Sequence, residues 1–144
     1  MTIEFGPEAA GERPAVAALM ATNSCEDDRL DFGEVWVARD DGEVIGVVHG
    51  VPVEPGTYYV ESALLREDRR GAGIGADLFR ALHATHSGEV ILACHDNRIP
   101  FYERLGYEVI DASDLAQPVR DHAYLVQDLP SRPDHVHHLM RRMA

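Results

Sequence analysis

Arg70-Gly71-Ala72-Gly73-Ile74-Gly75-Ala76 directly follows the strand-like run Thr57 to Leu65 and its charged turn, and it opens a stretch with helical spacing. Glycines let a backbone come close to a ligand, the first turn of a helix leaves its N–H groups without intrahelical partners, and the aligned peptide dipoles make that end positive. Such a segment is suited to holding a phosphate. Beyond it, Leu78, Phe79, Leu82 and His83 share one side of a helix ending near Ser87-Gly88, and Glu89 to Cys94 is a short apolar strand. Strand, helix, strand at this size predicts a parallel pair with a right-handed crossover.

Three glycine-rich patterns compete for the loop. A nucleoside-triphosphate loop needs a lysine after its last glycine and then a hydroxyl residue, and the chain contains no lysine. A dinucleotide fingerprint is formally met by Gly71 to Ala76, with Asp96 about 20 residues on as a ribose ligand. Those glycines normally follow their strand at once, whereas Arg66-Glu67-Asp68-Arg69-Arg70 intervene here. That pattern would bring nicotinamide or flavin binding.

The third is an acetyl-coenzyme A loop. Arg70, Gly73 and Gly75 meet its Arg/Gln-x-x-Gly-x-Gly/Ala spacing after a strand and a short charged turn. A second signature follows the next strand in Phe101-Tyr102-Glu103-Arg104-Leu105-Gly106-Tyr107: an aromatic-tyrosine pair, a basic residue, Leu-Gly and an aromatic. Through these two linked motifs, over about residues 57–110, the chain resembles the GNAT family of N-acetyltransferases. The resemblance implies an α/β fold: a single domain over residues 1–144, with a mixed sheet of about six to seven strands flanked by helices and a splayed central parallel pair.

Working outward, Thr2 to Phe5 reads as a short strand and Glu8 to Ala21 as a helix with Pro14 near its start. Glu34 to Arg39 and Val44 to Val53 read as strands joined by the turn Asp40-Asp41-Gly42, and Pro55-Gly56 marks the turn before Thr57 to Leu65. A second helix spans Ile99 to Leu105, closed by Gly106, and Tyr107 to Ile110 begins another strand. The early strands should be antiparallel. For the last strand the sequence leaves two candidates, Ala123 to Leu129 and Val136 to Met143, with 131–144 otherwise a tail.

The chain has 144 residues, 45% of them hydrophobic, enough for one core. Met1 to Phe5 lacks a basic n-region, and no stretch approaches the roughly 18 apolar residues of a spanning helix, so a cytoplasmic protein with no membrane partner is expected. A net charge of −12 argues against nucleic acid and would draw a cationic small molecule, although acidity with arginine replacing lysine completely equally reflects a source organism's solvent or genome. Cys25 and Cys94 support neither a disulfide scaffold nor a four-cysteine zinc site. Cys94-His95 is poorly placed as a nucleophile pair, because strand neighbours point to opposite faces. His135, His137 and His138 cluster near the tail, but no metal is expected there, surface or strand histidines being the commoner case.

What the resemblance implies is an acetyl-CoA-dependent N-acetyltransferase that acetylates a primary amine of a small molecule or peptide directly, in a family whose members often dimerise. The pyrophosphate would lie on Arg70, Gly71, Ala72, Gly73, Ile74, Gly75 and Ala76. The pantetheine arm would pair with the main chain of Ala63, Leu64 and Leu65, with Asn97 as a further ligand and His95 beside it. Arg66 and Arg69 read equally as solvated surface charges. Tyr102 matches the family tyrosine near the thioester sulfur, and a phenol with a reference pKa of about 10 can protonate the leaving thiolate. Glu61, a carboxylate inside an apolar strand, is the leading base, with His49 or a water in reserve and a solvated or paired carboxylate as the alternative. Acceptor pockets in the family come from segments equivalent to Asn23 to Gly33 and Asp111 to Arg120, and Glu34, Glu54 and Glu61 would supply acidity. A non-catalytic acyl-CoA sensor or interaction module is the alternative class.

Overall fold

The computed structural model describes residues 2–23, 30–121 and 138–143. The elements are β1 (Ile3–Pro7), α1 (Arg13–Thr22), β2 (Glu34–Asp40), β3 (Glu43–Glu54), β4 (Thr57–Leu65), α2 (Ile74–Thr85), β5 (Glu89–Cys94), α3 (Ile99–Glu103), β6 (Glu108–Ile110), α4 (Gln117–Arg120) and β7 (His138–Met143). Seven strands form one sheet in the order β1-β2-β3-β4-β5-β7-β6. β1, β2 and β3 pair antiparallel, β4 pairs parallel with β5, and β7 runs antiparallel to both β5 and β6. The expected mixed sheet with a parallel pair is therefore present.

The ladder between β4 and β5 covers only Thr57↔Glu89 to Val60↔Leu92, although β4 continues to Leu65 and β5 to Cys94. The chain divides into two compact units, Met1–Val51 with Glu61–Thr85 and Pro52–Val60 with His86–Ala144. The division falls inside β4, between Val60 and Glu61, where the ladder to β5 stops.

In the first unit Val16, Leu19 and Met20 of α1 pack on Val35 and Val37 of β2 and on Val44 and Val47 of β3, with Leu30 and Leu64 at the margin. Runs of β-branched residues favour these pleated, buried strands. α2 packs against β1 and β2 and buries Leu78, Phe79, Leu82 and His83, the predicted face. In the second unit Val90, Ile91, Leu92 and Met140 are fully enclosed.

Some boundaries differ from the sequence expectation. α1 begins at Arg13, not near Glu8, because Gly11 (φ 87°) turns the chain and the Glu12 carboxylate accepts the Ala9 N–H at 2.7 Å, with Pro14 in the first turn. α3 ends at Glu103, and the Gly106 and Tyr107 N–H groups then bond the Glu103 and Tyr102 carbonyls at 3.1 Å, satisfying orphan carbonyls of the helix end. Of the two candidates for the last strand, residues 138–143 form β7 between β5 and β6, while 123–129 lie outside the described residues, as do Cys25, His135 and His137.

Gly33, at the entry to β2, has φ 76°, and an ideal Cβ there would lie 2.2 Å from the Gly50 carbonyl oxygen and 2.6 Å from a Val51 side-chain carbon. A strand carbonyl cannot swing aside as a flexible side chain can. Gly33→Ala is expected to destabilise the protein by at least about 2 kcal/mol, from left-handed strain plus overpacking, read as a lower urea midpoint at unchanged slope.

Candidate active site

The glycine loop is a turn of 3₁₀ helix at Glu67–Arg69, extended backbone at Arg70, then Gly71 (φ 89°) and Gly73 (φ 81°), both in the left-handed region that favours glycine. A Cβ built at either glycine meets nothing within 4 Å, so this face of the backbone is open. α2 begins at Ile74, and its first N–H to close onto a carbonyl is that of Asp77, which reaches Gly73 at 3.1 Å. Helix geometry thus leaves the N–H groups of Gly73, Ile74, Gly75 and Ala76 without intrahelical partners. Gly75 lies in the first helical turn and is not in the left-handed region. The loop thus sets backbone amides at the positive end of a 12-residue helix, an arrangement suited to an anion.

The three loop arginines differ. Arg66 is engaged by Glu43 and Asp68, and Arg69 pairs with the buried Asp40. Arg70 is exposed and touches two neutral oxygens, the Asn23 side-chain carbonyl at 2.9 Å and the Leu65 carbonyl at 3.4 Å. Among the described residues no carboxylate pairs with it. Asn23 caps α1, and nothing in the sequence signalled that it would meet Arg70 from 47 residues away.

At the end of β4 the Arg66 N–H donates to the Ile45 carbonyl on β3 at 2.7 Å. The Leu65 carbonyl belongs to the same trans peptide and so points the opposite way, away from β3. Ala63 is exposed, while Leu64 and Leu65 are half-buried.

Glu61 does not face solvent: its side chain is 2% exposed and its Oε2 lies 3.4 Å from Nδ1 of His49, whose side chain is fully buried. His49 Nε2 lies 2.7 Å from the Phe32 carbonyl oxygen. Glu61 is therefore buried beside His49 and not solvated. Each residue stood out in the sequence by itself, but their contact was not legible, because it depends on which faces of adjacent strands they share.

In the second unit Tyr102, on α3, is buried between Phe101 and Tyr107, with ring centroids 5.0 Å and 5.6 Å away in edge-on arrangements. Burial pushes its phenol up to about 12, the neighbouring Cys94 adding to the effect and Arg98 opposing it. The Tyr107 phenol is raised as well, again chiefly by burial. The Cys94 thiol is raised by burial and donates to the Met140 sulfur at 3.6 Å, while His95 is exposed, so this pair is no nucleophile dyad. Asn97 is exposed in a 3₁₀ turn before α3. Arg98, which acts electrostatically on both Tyr102 and Cys94, was not singled out by the sequence because it carries no motif. Among the described residues no cluster of three or more His, Cys, Asp or Glu could hold a metal, and no helix is long and apolar enough to cross a membrane.

The model of the acetyltransferase (GNAT) domain family matches residues 31–109. That is more than half of the 144-residue chain, and the chain belongs to this family. None of the curated proteins matches it. Among solved structures, a GNAT family acetyltransferase from Elizabethkingia anophelis with acetyl-CoA bound superposes with a TM-score of 0.72 at 16% identity, covering 99% of this chain and 98% of that one. N-acetylglutamate synthase from Neisseria gonorrhoeae, complexed with coenzyme A and N-acetyl-glutamate, gives 0.74 at 15% identity, covering 99% of this chain and 35% of that one, so this chain spans about a third of the synthase. An acyl-CoA N-acyltransferase from Pseudomonas aeruginosa gives 0.69 at 19% identity, covering 98% and 99%. At these identities the likeness shows the fold.

Because the folded protein favours the protonated phenol of Tyr102, that contribution to stability is complete below pH about 10, the unfolded value, and is lost as pH rises toward about 12. Urea unfolding at pH 9 and 11 should therefore show wild type losing more stability over this interval than Tyr102→Phe.

Proposed function

We propose that this protein is an acetyl-CoA-dependent N-acetyltransferase that passes the acetyl group directly to a primary amine. The observation that carries the proposal is the loop Arg70–Ala76, where open glycines, the four N–H groups left over by the start of α2 and a guanidinium matched, among the described residues, to neutral oxygens meet. A diphosphate suits this set, since amides and an arginine give it charge-assisted hydrogen bonds at a helix N-terminus. The pantetheine arm would pair with the main chain of Ala63, Leu64 and Leu65. The Leu65 carbonyl, directed away from β3, is an acceptor for one of its amides, in the manner of an added strand. Asn97 is assigned to the same arm.

The acceptor amine attacks the thioester carbonyl carbon; a C–N bond forms, the C–S bond breaks and the electron pair leaves on sulfur. Tyr102 protonates that thiolate, and the proton that the acylated nitrogen sheds as it becomes the amide returns to the phenolate through solvent. A phenol raised to about 12 stays protonated throughout the working range, so the acid is always loaded. A main-chain N–H of β4 polarises the carbonyl oxygen as charge develops on it. Glu61 takes the proton that the arriving ammonium must lose, and at 2% side-chain exposure it does so through a water rather than by direct contact. Acidic residues including Glu34 favour a cationic acceptor.

Two substitutions separate binding from chemistry. Tyr102→Phe should lower kcat for acetyl-CoA-dependent thiol release about 100-fold across a panel of primary amines and peptide N-termini, with acetyl-CoA affinity unchanged. Arg70→Ala should weaken acetyl-CoA binding by about tenfold in calorimetry, the loss of one charge-assisted contact. Tight binding of acetyl-CoA without thiol release to any amine would instead describe a sensor.

A further inference from the structure

We propose that Asp40 and Glu43, which close the hairpin between β2 and β3, are positioning residues for the diphosphate: they hold Arg69 and Arg66 and so set the turn that carries the glycine loop. This rests on the reading of Arg70–Ala76 as the diphosphate site. Asp40 and Glu43 are cross-strand partners at the hairpin end. The two residues between them, Asp41 (φ 52°) and Gly42 (φ 84°), both stand in the left-handed region, as a tight two-residue hairpin turn requires. The hairpin thus fixes the two carboxylate-bearing residues relative to each other.

Each carboxylate reaches the turn that precedes the loop. Glu43 Oε1 accepts from Arg66 Nη1 at 2.5 Å, and the buried Asp40 accepts from Arg69 Nη2. Arg66 and Arg69 bracket the 3₁₀ turn, joined by a bond from the Arg69 N–H to the Arg66 carbonyl at 2.9 Å. The Arg66 N–H adds a third tie to the same hairpin, on the Ile45 carbonyl of β3 at 2.7 Å. The residue after Arg69 begins the glycine loop, so these ties set where the loop starts and in which direction it leaves.

A mount of this kind matters because the loop is built from glycine. Gly71 and Gly73 are left-handed with open space around them, so packing at those positions does not impose the conformation. Glycine also loses more conformational freedom on ordering than any other residue. A loop already held at its entry costs less to order around a ligand, which raises affinity without a new contact.

The sign of the effect separates positioning from charge. Asp40 and Glu43 are anions beside the entry to a loop that takes an anion, so by Coulomb repulsion alone their removal would tighten binding. Positioning predicts the reverse, and for the diphosphate only. Amide-shift titrations of wild type, Asp40→Asn and Glu43→Gln with coenzyme A and with pantetheine read this directly. Coenzyme A should bind about tenfold more weakly to D40N and about threefold more weakly to E43Q, with pantetheine affinity unchanged in each. Coenzyme A bound by D40N as tightly as by wild type, or more tightly, overturns the positioning role and leaves the diphosphate reading standing. Equal weakening of coenzyme A and pantetheine also overturns it, since a general loosening of the fold predicts that pattern. Should D40N not fold, E43Q decides by the same criteria, because the Glu43 side chain is 67% exposed and its loss leaves the core intact. Wild type that does not bind coenzyme A overturns the diphosphate reading, and this inference with it.

Discussion

Four backbone pairs hold β4 to β5, and beyond Val60 and Leu92 each strand runs on without the other. A strand whose edge is released from its ladder keeps its N–H and C=O groups directed outward, and those groups need partners. On β4 the released stretch begins at Glu61 and ends at Leu65, the two residues whose backbone and side chain enter the proposed chemistry. The same strand then delivers the chain into the glycine loop and α2, so one termination of pairing sets the proposed base, pantetheine edge and diphosphate cradle in sequence along 16 residues.

The electrostatics follow from using backbone rather than side chains. The chain carries a net charge of −12, yet the cradle draws on helix N–H groups and a dipole whose reach is confined to the first turn. Arg66 and Arg69 are tied to Glu43, Asp68 and Asp40, which fixes the turn before the loop. In the proposed function Arg70 supplies the cation that faces the diphosphate, and the acidic surface elsewhere attracts the amine. The sign of the whole protein and the sign of the loop can thus differ without conflict.

Much of this was legible in residue order. The boundaries of β4 and β5 follow from apolar runs bounded by turn residues, the buried face of α2 from its spacing, and the family from two motifs separated by a strand. Four things were not. The start of α1 hinged on a left-handed Gly11 and a side-chain contact from Glu12, which apolar periodicity does not register. The insertion of β7 between β5 and β6 is a long-range pairing with no local signal. The His49–Glu61 contact joins two strands whose mutual register the sequence does not encode, so each residue looked like a lone candidate. The Arg70–Asn23 bond joins a loop to a helix end 47 residues away, again with no local signal.

The most direct measurement is amide chemical-shift mapping of the ¹⁵N-labelled protein titrated with coenzyme A and, separately, with pantetheine, which lacks the diphosphate. The account predicts that coenzyme A moves the amides of Gly71, Gly73, Ile74, Gly75 and Ala76 strongly, and that pantetheine leaves them in place. Loop amides that ignore coenzyme A, or that respond equally to pantetheine, would contradict it.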